Sequence, residues 1–115
     1  MGTTEAERSN KKGSYPSGWL AISRHESIAH MLDAILDLPP NRGFTQTELA
    51  EMAGVSRQSV SRHLGFLIDI EAIEPIQDTS PQRFRFNPDS EVSQALIRLD
   101  GAMIKAGEDI QSTDG

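Results

Sequence analysis

The 115-residue chain contains no cysteine, which excludes disulfide bonds, thiol redox chemistry and cysteine-ligated metal sites. Aromatic residues make up only 5%, and no apolar run reaches the roughly eighteen residues that a membrane-spanning helix requires. Residues 1–18 lack the apolar core of a signal peptide. These absences predict a cytoplasmic protein without membrane contact. No acid–base pair or activated nucleophile motif is recognisable, so we expect neither an enzyme nor a bound cofactor.

Lysine is scarce: three lysines and eight arginines stand against seventeen acidic residues, and the net charge is -6. This composition has two interpretations, a hydrated acidic surface typical of a halophilic source or an ordinary acidic protein from a GC-rich genome. The residues leave both open. The overall charge argues against unspecific binding to polyanions, but the charge of local patches decides whether a protein binds nucleic acid.

Length and patterning predict one small domain with tails. Residues 1–18 are polar and aperiodic, which indicates a disordered N-terminal tail. The domain is expected over residues 19–88, a final helix over residues 89–107 and a frayed tail over residues 108–115.

Helical spacing of apolar residues over Trp19–Leu38 predicts a first helix. Ser23 or His25 is the expected start, and the Pro- and Gly-containing residues 39–43 end it. Phe44 is predicted to form a short strand or a single bridge.

Two helices joined by a tight turn are predicted next. Thr45 and Glu48 have the spacing of a capping box, which starts a helix, and Gly54 is suited to the left-handed residue that ends one. Ser56 is expected to cap a third helix over residues 57–71. Its inner face is formed by Val60, Leu64, Leu67 and Ile68.

A β-hairpin follows. Residues 72–76 are apolar enough for a strand that Pro75 confines to an edge, and residues 83–87 alternate strictly, which is typical of a second strand. Asp89 or Ser90 then caps the last helix, expected to end near Ala106. The predicted fold is mainly helical with one small hairpin.

The outer face of the third helix carries side chains that recognise DNA bases. Arginine can bond two acceptors of guanine, and glutamine can bond both edge groups of adenine. No acidic residue occurs from Val55 to Ile68, so phosphates can approach without repulsion. The predicted base-reading residues are Arg57, Gln58, Ser61 and Arg62.

Phosphate contacts are predicted around this face. Ser56 and Ser59 lie near the helix start, where backbone N–H groups favour anions, and Gln46 and Thr47 open the preceding helix. In the hairpin, Arg83 and Arg85 are expected to project from one face and contact the DNA backbone or minor groove.

The segments TELAEMAGVSRQSVSRHLGFLIDIEAIEPI and RFRFNPDS resemble the winged helix-turn-helix transcription regulators of the ArsR and MarR type, particularly archaeal members. The resemblance covers about residues 22–106. It implies that the third helix enters the major groove and that residues 78–85 form the wing. This family commonly has glycine at the end of the recognition segment, where the chain has residues 70–72 as Ile-Glu-Ala, which leaves that helix end open.

Metal sensing is an alternative, because ArsR-type relatives often sense metals. His25, His30 and His63 are the only histidines, and without cysteine they make a weak ligand set. We therefore predict no metal site, and the effector stays unidentified. His63 is expected to pack near the turn or to touch phosphate.

The last helix carries an apolar stripe, predicted as a dimer contact and formed by Val92, Leu96, Leu99 and Met103. Ile97 and Ile104 widen the stripe beyond what one small domain easily covers. The alternatives are a helix packed back on its own domain and a symmetric dimer, of which we favour the dimer. Two recognition helices about 34 Å apart would then read a palindromic operator. The predicted function is sequence-specific regulation of transcription, and the alternative is a winged-helix protein-interaction module that does not bind DNA.

Overall fold

The computed structural model describes residues 18–114, with side chains through residue 110. The chain is mainly helical with one antiparallel hairpin, as predicted. The elements are α1 (Trp19–Ser23), α2 (Glu26–Leu36), α3 (Gln46–Ala53), α4 (Arg57–Asp69), β1 (Ile73–Ile76), β2 (Arg83–Phe86) and α5 (Glu91–Asp114). Except for Gly18, the predicted disordered tail lies outside the described residues. Within the described part of the chain, no helix combines the length and hydropathy needed to cross a bilayer.

The first predicted helix corresponds to α2, which begins after His25, one of its two predicted starts, and the short helix α1 that precedes it was not predicted as a separate element. His25 takes an extended conformation, with φ -123° and ψ 118°, and forms the N-cap position of α2. This break separates α1, which has no buried residue, from α2, whose inner stripe is buried. The paired prolines at residues 39–40 follow α2 and disfavour helical continuation.

The turn between α3 and α4 is built by local signals in the sequence. The Thr45 side chain and the Glu48 side chain each accept a backbone N–H from the other residue, at 3.1 Å and 2.9 Å. Gly54 ends α3 in the left-handed conformation with φ 71°, and the Ser56 hydroxyl caps α4 by accepting the Ser59 N–H at 3.0 Å. These predicted starts and stops are confirmed.

Helix α4 ends at Asp69, two residues before the predicted end, so that boundary is wrong. Glu71 adopts the left-handed conformation with φ 64°, a position that glycine usually fills at helix ends. The N–H groups of Glu71 and Ala72 donate to the carbonyls of Ile68 and Leu67, at 2.9 Å and 3.0 Å. This arrangement reverses the chain and buries Ala72 at the start of the hairpin.

Phe44 forms an additional backbone bridge to the hairpin. The backbone N–H and C=O of Phe44 bond those of Phe84 at 2.9 Å and 2.8 Å, which confirms the predicted bridge. Phe84 uses both its backbone N–H and its C=O to bond Phe44. Pro75 faces Phe84 from the other strand of the hairpin, and it is therefore not required to donate a hydrogen bond to Phe84. Pro75 is therefore compatible with the edge strand.

The core lies between α2, α3, α4 and the hairpin. Its members are Ile28, Met31, Leu32, Ile35, Phe44, Leu49, Ala50, Val60, Leu64, Phe66, Leu67, Ala72, Ile73 and Phe84. Of the predicted inner face of α4, Ile68 is only partly buried, while Phe66, which the pattern did not assign to the core, is buried.

Helix α5 extends to Asp114, so the predicted end near Ala106 is wrong. No proline follows Ala106, and Gly107 alone costs only about 1 kcal/mol in a helix, which is not enough to stop it. At the other end the Ser90 hydroxyl accepts the Ser93 N–H at 3.1 Å, so Ser90 makes the cap contact. Leu96 packs against the core, whereas most apolar side chains farther along α5 are exposed.

Candidate nucleic-acid interface

The outward face of α4 is the centre of the candidate interface. Burial of Val60, Leu64 and Leu67 fixes the rotation of the helix. The four predicted base-reading side chains, Arg57, Gln58, Ser61 and Arg62, are all exposed on the other side. Among the described residues neither arginine of this face takes part in an ion pair. The face therefore presents two unpaired positive charges and several hydrogen-bonding groups.

The two serines at the start of α4 differ in what they can offer. The Ser56 hydroxyl caps the helix and also donates to the Ser59 hydroxyl at 3.0 Å. Its own proton is thus committed within the chain. Ser59 accepts that bond and keeps its proton, so Ser59 is the better donor to an incoming phosphate.

A hydrogen bond joins α4 to the start of α3. The Ser61 hydroxyl donates to Gln46 Oε1 at 2.9 Å. This contact leaves the amide N–H₂ group of Gln46 able to donate elsewhere. Sequence reasoning selected both residues separately, and the fold joins them across the turn.

The start of α3, the start of α4 and the hairpin turn enclose a polar cleft of about 240 Å³. Thr45, Gln46 and Thr47 line one side, Arg57 lies on another, and Pro81 and Gln82 contribute the hairpin side. The structure therefore brings the predicted recognition helix, the preceding helix and the wing to one continuous surface.

The two wing arginines are held by carboxylates of the same chain. Arg83 Nη1 lies 3.3 Å from Glu48 Oε1, and Arg85 Nε lies 2.9 Å from Glu74 Oε2. The hydrogen bond from the Thr45 backbone lowers the pKa of Glu48, and the charges of Arg83 and Arg42 act in the same direction against partial desolvation. Glu48 thus serves both the helix cap and the wing.

These acidic partners were missed by sequence reasoning as part of the site. Glu74 could have been found, since it faces Arg85 directly in the hairpin register and opposite charges at facing positions attract. The contact between Glu48 and Arg83 joins residues 35 positions apart, and nothing in the local pattern signals it.

The wing turn is closed by its own hydrogen bonds. Thr79 Oγ1 donates to the Ile76 carbonyl and accepts the Arg83 N–H, both at 2.9 Å. Gln82 Nε2 donates to the carbonyls of Ile76 and Arg83, at 2.9 Å and 2.8 Å. The turn is therefore preorganised beside the cleft.

His63 lies on the inner side of α4 and contacts His25 at the start of α2. Their ring centroids are 4.8 Å apart, and His63 is buried. Burial lowers the pKa of His63, and the positive charges of His25 and Arg62 lower it further. His63 is therefore packed against the residue that precedes α2. Among residues 18–114 no group of three or more histidine or carboxylate side chains is arranged to hold a metal ion.

An open apolar groove of about 200 Å³ lies between α1, α2 and α5. Three of the predicted dimer residues, Leu96, Leu99 and Met103, line it together with Trp19 and Leu32. The fourth, Val92, lies instead beside Ile70 and Glu71 at the start of α5. Trp19 is 63% exposed and Met103 is 62% exposed, so none of the described residues fills the groove.

In a comparison with protein families, residues 41–62 match the helix-turn-helix family model. The matched segment runs from the turn before α3 into the first half of α4. The chain matches no curated protein and no solved structure. The match and the fold agree on a helix-turn-helix DNA-binding motif followed by a hairpin, which supports a DNA-binding regulator.

Proposed function

We propose that this protein is a sequence-specific regulator of transcription that inserts α4 into the major groove of double-stranded DNA. The observation that carries the proposal is the exposed face of α4, with Arg57, Gln58 and Arg62 on one side and no acid between Val55 and Ile68. In a chain of net charge -6, this acid-free face is where a polyanion can approach most closely.

The side chains divide into two roles. Gln58 and Arg62 lie along the outward face, where amide and guanidinium groups make bidentate contacts with adenine and guanine. Arg57 lines the polar cleft, so we assign it to a phosphate beside the groove, together with Ser59 and the amide of Gln46. The ArsR- and MarR-like resemblance of the sequence supports this docking, with the wing proposed to lie over the neighbouring DNA backbone.

We further propose that the functional unit is a homodimer. Helix α5 continues to Asp114, and its apolar side chains Leu99, Met103 and Ile104 are 42%, 62% and 58% exposed. Exposed apolar surface of this extent is typical of an interface. A second copy covering the groove and α5 would set two recognition helices about one DNA turn apart, as a palindromic operator requires.

The DNA-binding proposal is tested by fluorescence anisotropy with duplex DNA from immediately upstream of the gene and with a scrambled duplex. We expect tighter binding to the upstream duplex. Arg62→Ala should cost about 1–3 kcal/mol of binding free energy and relax the base preference. The matched control is Arg98→Ala, which removes the same charge from an exposed position on α5. If Arg62→Ala keeps both affinity and preference, the assignment of α4 as the reading helix is wrong.

The dimer is tested separately by sedimentation velocity. Met103→Asp places a charge in the groove and should shift the protein from twice the 12.6 kDa chain mass to the monomer. Ala102→Asp introduces the same charge at an exposed position on a different side of α5, and should remain dimeric. A wild-type protein that sediments as a monomer at all concentrations contradicts the homodimer.

A protein-interaction module of the transcription machinery is the second candidate. The acidic composition and the pairing of both wing arginines with carboxylates favour it. It predicts a folded protein that retains no duplex DNA at low or near-molar KCl.

If the source is halophilic, folding should persist in molar KCl, and a thermal unfolding series in KCl tests this.

A further inference from the structure

We propose that Glu74 and Glu48 neutralise the wing arginines, so that the wing contributes little to the electrostatic attraction of DNA. The negative charge of Glu74 then lowers the affinity of the protein for DNA. The inference rests on the proposed DNA-binding function. It changes the expectation of a strongly cationic wing and assigns a role in tuning affinity to a residue outside the recognition helix.

The Glu74–Arg85 pair is built into the hairpin. The two residues face each other in the strand register, and the 2.9 Å contact joins Arg85 Nε to the Glu74 carboxylate. Their side chains are 42% and 43% exposed, so the pair lies open to solvent. A phosphate that reaches Arg85 therefore also meets the negative charge of Glu74 a few ångströms away.

The Glu48–Arg83 pair has the same consequence on the other side of the wing. The Thr45 N–H holds the Glu48 carboxylate in place at 2.9 Å, and Arg83 reaches the same oxygen, Oε1. Removing Glu48 would also remove half of the capping box at the start of α3. Glu74 has no such second role among the hydrogen bonds of the described residues, which makes it the cleaner position to test.

Charge along the chain predicts how binding depends on salt. Residues 73–86 contain two arginines, Glu74 and Asp78, and have no net charge. By contrast, α4 presents Arg57 and Arg62 without a nearby acid in sequence. Each neutralised phosphate contributes about -0.9 to the slope of log K against log salt. A dimer in which only Arg57 of each protomer neutralises a phosphate should show a slope of about -2, whereas full use of the wing arginines as well gives about -5.

The experiment measures affinity for the upstream duplex over a salt series for the wild type, Glu74→Gln and Glu71→Gln. Glutamine keeps the size of Glu74 but removes its charge, and Glu74→Ala removes the side chain as well. Glu71 is exposed beside the start of α5, so Glu71→Gln makes the same change in net charge away from the wing. Circular dichroism and thermal unfolding establish that each variant is folded.

We expect Glu74→Gln and Glu74→Ala to bind more tightly and to steepen the slope by about 0.9 per bound protomer. For each bound protomer, the gain in affinity over the wild type should then be about 3.5-fold larger at about 50 mM than at about 200 mM salt. Glu71→Gln should follow the wild type. Adding Arg85→Ala should cost more affinity in the Glu74→Gln background than in the wild type, because the arginine is engaged by phosphate only after its partner loses its charge.

Two outcomes overturn the inference while leaving the proposed function intact. One is specific binding by the wild type with an unchanged affinity and slope in both Glu74 variants. The other is an equal loss from Arg85→Ala in both backgrounds. Failure of the folded wild type to bind any duplex would instead overturn the proposed function, and this inference with it.

Discussion

Replacing Thr45 by alanine tests whether the capping box sets the start of α3. The Thr45 hydroxyl accepts the Glu48 N–H at 3.1 Å, and alanine leaves that donor without its intrachain acceptor. Removing a threonine cap costs about 1 kcal/mol, within a range of roughly 0.5–2 kcal/mol. In a domain of this size, 1 kcal/mol corresponds to a fall of about 4–8 °C in Tm. We therefore expect Thr45→Ala to unfold several degrees earlier, as followed by circular dichroism.

Two controls separate the cap from other effects of the change. Thr45→Ser keeps the hydroxyl and should retain most of the stability. Thr47→Ala changes an exposed threonine in the same turn, and should be neutral or slightly stabilising because alanine favours helix. The cost of Thr45→Ala should also be similar at low and high salt, since a hydroxyl carries no charge. Equal Tm values for Thr45→Ala, Thr47→Ala and the wild type would refute the capping argument.

Two further predictions concern the buried core. Phe44 is completely buried, so Phe44→Ala should lower the free energy of unfolding by about 3–5 kcal/mol, measured by urea denaturation, whereas Leu20→Ala at an exposed position should change it by less than about 0.5 kcal/mol. Burial lowers the pKa of His63 below the ordinary value of 6.5. The unfolded chain therefore binds a proton at this histidine at a higher pH than the folded chain does. The free energy of unfolding should be insensitive to His63 well above pH 6.5 and should decrease as the pH falls below it. His63→Gln should reduce this acid sensitivity in thermal unfolding and the exposed His30→Gln should not. An unchanged pH profile in His63→Gln would show that another group titrates.

The helix-turn-helix geometry was predictable because its signals are short-range. Thr45 and Glu48 satisfy each other within one helical turn, and Gly54 takes the left-handed conformation that ends α3. Helical periodicity gave the outward face of α4, since buried and exposed positions follow from 3.6 residues per turn. Local patterning did not identify α1 as a separate helix, and it placed the end of α5 too early, near Ala106.

The amino-acid sequence alone thus determined the order of the elements from α2 onward, the start of α3 and α4, and the acid-free face of α4, because each depends on residues a few positions apart. Only the tertiary structure decided which charges remain available to a partner. Arg83 contacts Glu48 although the two are 35 positions apart in the sequence, and the rings of His63 and His25, on different helical segments, are in contact. Side chains that are distant in the sequence become neighbours only when the hairpin and the helices pack around one core. The ion pairs formed in this way then determine which arginines remain unpaired and available to bind DNA.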